Sequence, residues 1–139
     1  MKSVFVQKLL LSIAGLAGLF IGLSLLFNPI AFEASAGIQI AQEPNILSEI
    51  RGMGGVILLA GAIAIAGLLA PRFRWTALFI TSFYLLGYGL ARLVSVFLDG
   101  VPSTVLVSAM SFEILLGVWG AVIIGRSFTS QPSPRPAML

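Results

Sequence analysis

Four long stretches of this chain are apolar at nearly every position, separated by one break of eighteen residues and two short ones. Residues 9–27 run for nineteen positions without a charge, enough at 1.5 Å per residue to cross a hydrocarbon core about 30 Å thick. A second stretch, 46–70, stops at Pro71 and the basic pair Arg72 and Arg74, the signature of a tight turn. A third, 75–98, ends in Asp99-Gly100-Val101-Pro102, and a fourth spans 104–125. Asp-Gly with a nearby proline ends a helix, and Ser103 or Thr104 can cap the next. No heptad pattern or internal repeat accompanies these runs. The pattern predicts an all-α fold, a transmembrane bundle of four helices forming one domain over residues 1–126. Residues 127–139, with three prolines, are expected to form a disordered cytoplasmic tail.

Composition reinforces a membrane setting. Of 139 residues 58% are apolar and only 9% charged, against about a quarter in soluble domains, so a soluble surface could not be covered. Histidine and cysteine are both absent, which excludes thiolate or imidazole metal sites, disulfides, His-ligated haem and Cys or His catalysis. No cofactor and no metal is therefore expected. The net charge of +3 does not point to nucleic acid, because the basic residues stand singly between apolar runs.

The distribution of charge sets an expected orientation. Lys2, Lys8, Arg72, Arg74, Arg126 and Arg135 fall on one side of a four-span topology. The opposite loops, 28–45 and 99–102, hold Glu33, Glu43 and Asp99 and no base. Lys and Arg near helix ends stay in the cytoplasm, so both termini are expected there. Phe73 and Trp75 then fit the inner aromatic belt and Phe97 the outer one. Lys2, Lys8, the first apolar run and Ala34-Ser35-Ala36 also resemble the parts of a secretory signal. The run is longer than a signal core, however, and the A-x-A lies well beyond its end, so the first helix is read as a retained span.

Charges inside the spans are the candidate chemistry, because each ionisable group costs about 2.5 kcal/mol or more near the bilayer centre. Arg92 lies about 10 Å below Asp99, Glu113 about 14 Å below Thr104 and Arg51 about 9 Å below Asn45, all in the outer half. Thr81, Tyr84, Tyr88, Arg92, Ser95 and Asp99 recur at steps of three and four, a polar stripe on one helix face. Ala109, Glu113, Gly117 and Gly120 share a face of the fourth helix, where small residues admit a neighbour close to the carboxylate. Arg92 and Glu113 are expected to pair. Glu49 and Arg51 are two positions apart and point to different sides, leaving Arg51 to find Asp99, Glu113 or a lipid phosphate.

Two readings of this cluster stand side by side: a neutralised network fixing helix register, and a polar pocket for an anionic headgroup or small polar ligand supplied with donors by two arginines and two tyrosines. Gly18 and Gly22, with Ala14, form a small-residue seam, as do Gly117, Ala121 and Gly125; these pack helices closely within a chain or between copies, so a homo-oligomer or a partner membrane protein is open. Gly52-Met53-Gly54-Gly55 is too short and wrongly placed for a nucleotide loop.

Asn45-Ile46-Leu47-Ser48-Glu49-Ile50-Arg51-Gly52 followed by Gly54-Gly55, then Gly87-Tyr88-Gly89-Leu90-Ala91-Arg92-Leu93, Asp99-Gly100-Val101-Pro102 and Glu113 resemble a bacterial family of small four-span membrane proteins classed as a domain of unknown function. The resemblance covers roughly residues 8–125 and implies a place in the bacterial inner membrane, but no activity. In layout the chain is more distantly similar to DoxX-like membrane proteins, some of which are tied to quinone-linked oxidation. The expected function is a binding or accessory role for an integral membrane protein, with no catalytic residue assigned. The alternatives are a small transporter, with Glu113 carrying the proton, and a subunit of a quinone-linked oxidoreductase.

Overall fold

The computed structural model describes residues 2–129. It is an all-α bundle of five helices: α1 (Lys2–Phe27), α2 (Pro29–Ser35), α3 (Pro44–Leu69), α4 (Arg74–Asp99) and α5 (Thr104–Thr129). Four of them are long and apolar enough to cross a membrane. The chain is an integral membrane protein by this criterion, and its surface agrees. Phe5, Phe20, Phe27, Leu59, Phe83, Phe97 and Leu115 all face outward, an arrangement that water would not tolerate and lipid favours.

Successive long helices run in opposite directions. A single 3-10 turn, Pro71–Phe73, joins α3 to α4, and Gly100, with a φ of 97° that favours glycine, ends α4. Lys8, Arg72, Arg74 and Arg126 therefore gather at one end of the bundle, called here the basic end. The other, the loop end, carries α2, residues 36–43 and the α4–α5 connection. Trp75 and Phe97 lie exposed near opposite ends, as an aromatic belt requires.

The bundle is two close helix pairs laid side by side. α1 packs along α3, and α4 along α5, more intimately than either pair packs on the other. Small residues explain this. A Cβ on Gly18 would lie 2.9 Å from the Gly61 Cα, so the backbones of α1 and α3 touch there. On the other pair Gly89 abuts Ile114, and Gly117 abuts Leu86. The glycine seam of α1 thus meets its partner inside this chain. Toward the basic end, Leu10, Leu11, Ala64, Ala77 and Leu78 form a buried core that joins α1, α3 and α4, with Trp119, Ile123 and Ile124 of α5 packed against it.

Two details depart from the sequence expectations. The segment 28–45 was expected to be wholly loop, yet Pro29 starts α2; a proline at the first helical position is pre-set in φ and loses no needed N–H. Ser127–Thr129, expected in the tail, continue α5. The rest of the expected tail, 130–139, lies outside the described residues. Ser103 caps α5 as expected, its hydroxyl accepting from the Leu106 N–H at 3.5 Å, and the same hydroxyl donates to the Ala36 carbonyl at 2.8 Å. It ties the α4–α5 connection to the loop after α2.

Candidate functional site

The polar stripe of α4 occupies one face and turns into the bundle. At its inner end, Thr81 is buried, and Tyr84 and Tyr88 follow one and two turns on with ring centroids 5.1 Å apart. One turn further, Arg92 donates its Nε–H to Oε2 of Glu113 on α5 at 3.0 Å. The Glu113 side chain is 14% exposed and that of Arg92 33%. Glu113 can come this near because Gly89, three residues before Arg92, leaves room for Ile114 and the Glu113 Cβ to approach α4. The Arg92 guanidinium also lies 6.0 Å from the centroid of the Tyr88 ring. At the outer end of the stripe, the Ser95 hydroxyl donates to Oδ2 of Asp99 at 2.9 Å.

Behind these side chains is a cavity of about 180 Å³ between the two helix pairs. Ala14, Ala17, Gly18 and Ile21 of α1 and Ile57, Ala60 and Gly61 of α3 form one wall. Thr81, Tyr84 and Tyr88 of α4 and Phe112 and Glu113 of α5 form the other. Composition contributes to the space: five of these seven residues of the α1–α3 pair are alanine or glycine. Tyr84 and Tyr88 also pack against Leu25, Ile50 and Ile57, with Phe32 of α2 and Ile40 of the following loop covering the same cluster toward the loop end. Toward the basic end the space is closed by Ala14, Leu85 and Leu116, with Trp119 beside them.

Thr81 has a particular place in this site. Ser24, Ser82, Ser108 and Ser111 each donate to the carbonyl four residues earlier. The Thr81 hydroxyl is buried and has no hydrogen-bond partner among the described residues. Buried polar groups are nearly always satisfied, so an orphan beside a cavity calls for an explanation.

The other charged positions lie apart. Arg51 donates its Nε–H to the Leu26 carbonyl at 3.1 Å, satisfying one of the unpaired carbonyls at the C-terminus of α1. Among the described residues, the hydrogen bond shown for Arg51 goes to a helix end rather than to Asp99 or Glu113. Glu49 is exposed on α3. Neither Arg51 nor Arg92 is among the residues that line this cavity. Among the described residues there is no group of three His, Cys, Asp or Glu placed to hold a metal ion. Sequence spacing identified the stripe and its carboxylate; it did not reveal the cavity, whose small-residue wall comes from helices carrying no polar signal at those positions.

The family model described as a domain of unknown function, DUF4345, matches residues 6–124, and the chain belongs to that family. No curated protein and no solved structure matches it.

Proposed function

We propose that this DUF4345 protein binds a small lipophilic molecule within the membrane, in the cavity between its two helix pairs. The observation that carries the reading is the cavity itself, about 180 Å³ bounded on one side by a wall of mostly small apolar residues and on the other by Thr81, Tyr84, Tyr88 and Glu113. Ligand sites are mostly apolar concavities with a few convergent polar groups, and they occur between the helices of bundles. A packed interior otherwise keeps few voids larger than a water molecule. The Arg92–Glu113 pair supports the site by fixing α4 against α5 at the cavity rim. The basic end faces the cytoplasm in this reading, so both termini lie inside and the loop end outside, in a bacterial inner membrane.

The experiment is to purify the protein from its own membranes in mild detergent and analyse by mass spectrometry what denaturation releases. A stoichiometric small molecule is expected from the natural chain. It should be lost from Ala60→Leu, which fills the cavity. If the natural chain releases nothing and Ala60→Leu is simply more stable, the cavity is a packing defect and the binding role falls.

The ion pair also supports a second reading, in which Arg92 and Glu113 serve only to fix helix register. They connect adjacent helices at a glycine-lined crossing, where registry is otherwise weakly specified. Under that reading, loss of the pair changes stability and leaves the released small molecule unaffected.

A further inference from the structure

We infer that the occupant is a bilayer phospholipid of the leaflet at the loop end, with an acyl chain threaded sideways into the cavity between α1 and α5, past Phe112. The inference rests on the binding role proposed above and names the ligand class and its route of entry.

The route follows from how the four long helices close on one another. α1 lies along α3, α3 beside α4 and α4 along α5, whereas α1 and α5 touch only weakly and, among the described residues, α3 and α5 do not meet. The buried clusters that join α1 to α5 lie toward the basic end. There Trp119, Ile123 and Ile124 pack on the cluster that holds Leu10 and Leu11, and Leu116 joins Ala14. The cluster toward the loop end draws on α1, α3 and α4, with Phe32 and Ile40 over it, and contains no residue of α5. In it Tyr84 and Tyr88 pack with Ile50 and Ile57, which closes the seam between α3 and α4. The seam left open is that between α1 and α5.

The lining shows that the partly open cavity reaches this seam. On α1, Ala14, Ala17 and Ile21 recur at steps of three and four and share a face. On α5, Ala109 and Phe112 share a face with Leu116, the residue that meets Ala14. Ala17, Ile21 and Ala109 are half-buried, and Phe112 is 37% exposed although it lines the cavity. Phe112 thus belongs both to the lining and to the lipid-facing surface, so the cavity is continuous with the bilayer there.

Depth then selects the ligand. Helices of 26 residues are about 39 Å long against a hydrocarbon core of about 30 Å, so only about 4–5 Å at each end lies among headgroups. Ala109 and Phe112 stand about 8 and 12 Å below Thr104, and Ile21 and Ala17 about 9 and 15 Å below Phe27. The mouth therefore opens among acyl chains. Beyond it the lining is predominantly apolar, the Thr81 oxygen is covered and the Glu113 carboxylate is held by Arg92. A hydrocarbon chain leaves no polar group of its own unpaired in such a space, and its headgroup stays outside at the interface.

The test uses the full chain in nanodiscs whose phosphatidylcholine carries a photoreactive diazirine midway along one acyl chain, with the labelled residues mapped by mass spectrometry. Label is expected on Tyr84 and Ile57 within the cavity as well as on the outward Phe20 and Leu115. Ala60→Leu, which fills the cavity, and Ala109→Phe, which fills its mouth, should each remove the label from Tyr84 and Ile57 and spare the outward residues. Phe112→Ala widens the mouth without adding bulk and should raise the cavity label. Cavity label that Ala60→Leu removes and neither mouth variant changes overturns the route. Label confined to the outward residues overturns the acyl-chain occupant. In that case, a stoichiometric molecule of another kind released by the protein from its own membranes leaves the binding role standing, and release of nothing removes both.

Discussion

Arg92 and Glu113 meet at 3.0 Å between α4 and α5, one turn beyond Tyr88, and this contact sets the depth at which the two helices cross. Each residue stands on an apolar helix and has the other as its charge partner. Removing one side of such a pair strands the other charge, at a cost of about 3–5 kcal/mol in a fully buried setting. With a third of the Arg92 side chain exposed, the lower end of that range applies.

Glu113→Ala and Arg92→Ala are each expected to lower thermal stability in detergent, and the double variant to lose less than the sum of the two. A coupling energy of about 1–3 kcal/mol is expected from the cycle. Additive losses would show that the pair contributes nothing as a pair.

Close approach of α1 and α3 predicts a sharp contrast among glycines. Gly61→Val forces a side chain into the Gly18 backbone and should abolish the folded state in detergent, measured by size-exclusion chromatography. Gly55→Ala, where an added methyl meets nothing within 4 Å, should be neutral or stabilise α3 by about 0.5–1 kcal/mol.

Arg51→Met removes a cap from the end of α1 without touching the cavity. Thermal melting should report a loss of no more than about 1 kcal/mol, the ordinary net value of one hydrogen bond. The small molecule released on denaturation should be unchanged. A loss of binding would place Arg51 in the ligand site.

Orientation is tested by single cysteines in a chain that has none. With the basic end in the cytoplasm, Glu43→Cys should react with an impermeant thiol reagent in intact cells, and Arg72→Cys only after lysis. The reverse pattern would invert the bundle.

How much of this was legible in the sequence depends on which residues carry the signal. Apolar run length located the four long helices, since hydrocarbon thickness dictates it directly. The spacing of Thr81, Tyr84, Tyr88 and Arg92 gave a shared helix face, because a helix repeats at 3.6 residues whatever surrounds it. The partner of Arg51 was not legible: a backbone carbonyl carries no residue identity, so Leu26 left no trace in the pattern. Pro29 was a usable signal for α2, a helix of seven residues that is too short to show a helical period in its apolar positions. The cavity could not be read at all. Ala17, Ala60 and Gly61 look like ordinary packing residues, and only the distance between helix pairs distinguishes a filled space from an open one.

The pairing of neighbours in the chain has a consequence for assembly. Each helix pair joins segments adjacent in sequence, so each can close as a hairpin soon after its second helix emerges from the ribosome. The half of mostly small apolar residues belongs to the first hairpin and the polar half to the second. Neither half encloses anything by itself. The pocket comes into being only at the final docking step, and an occupant that bridges both halves would act as the fastener of the finished protein, shifting its assembly equilibrium by mass action.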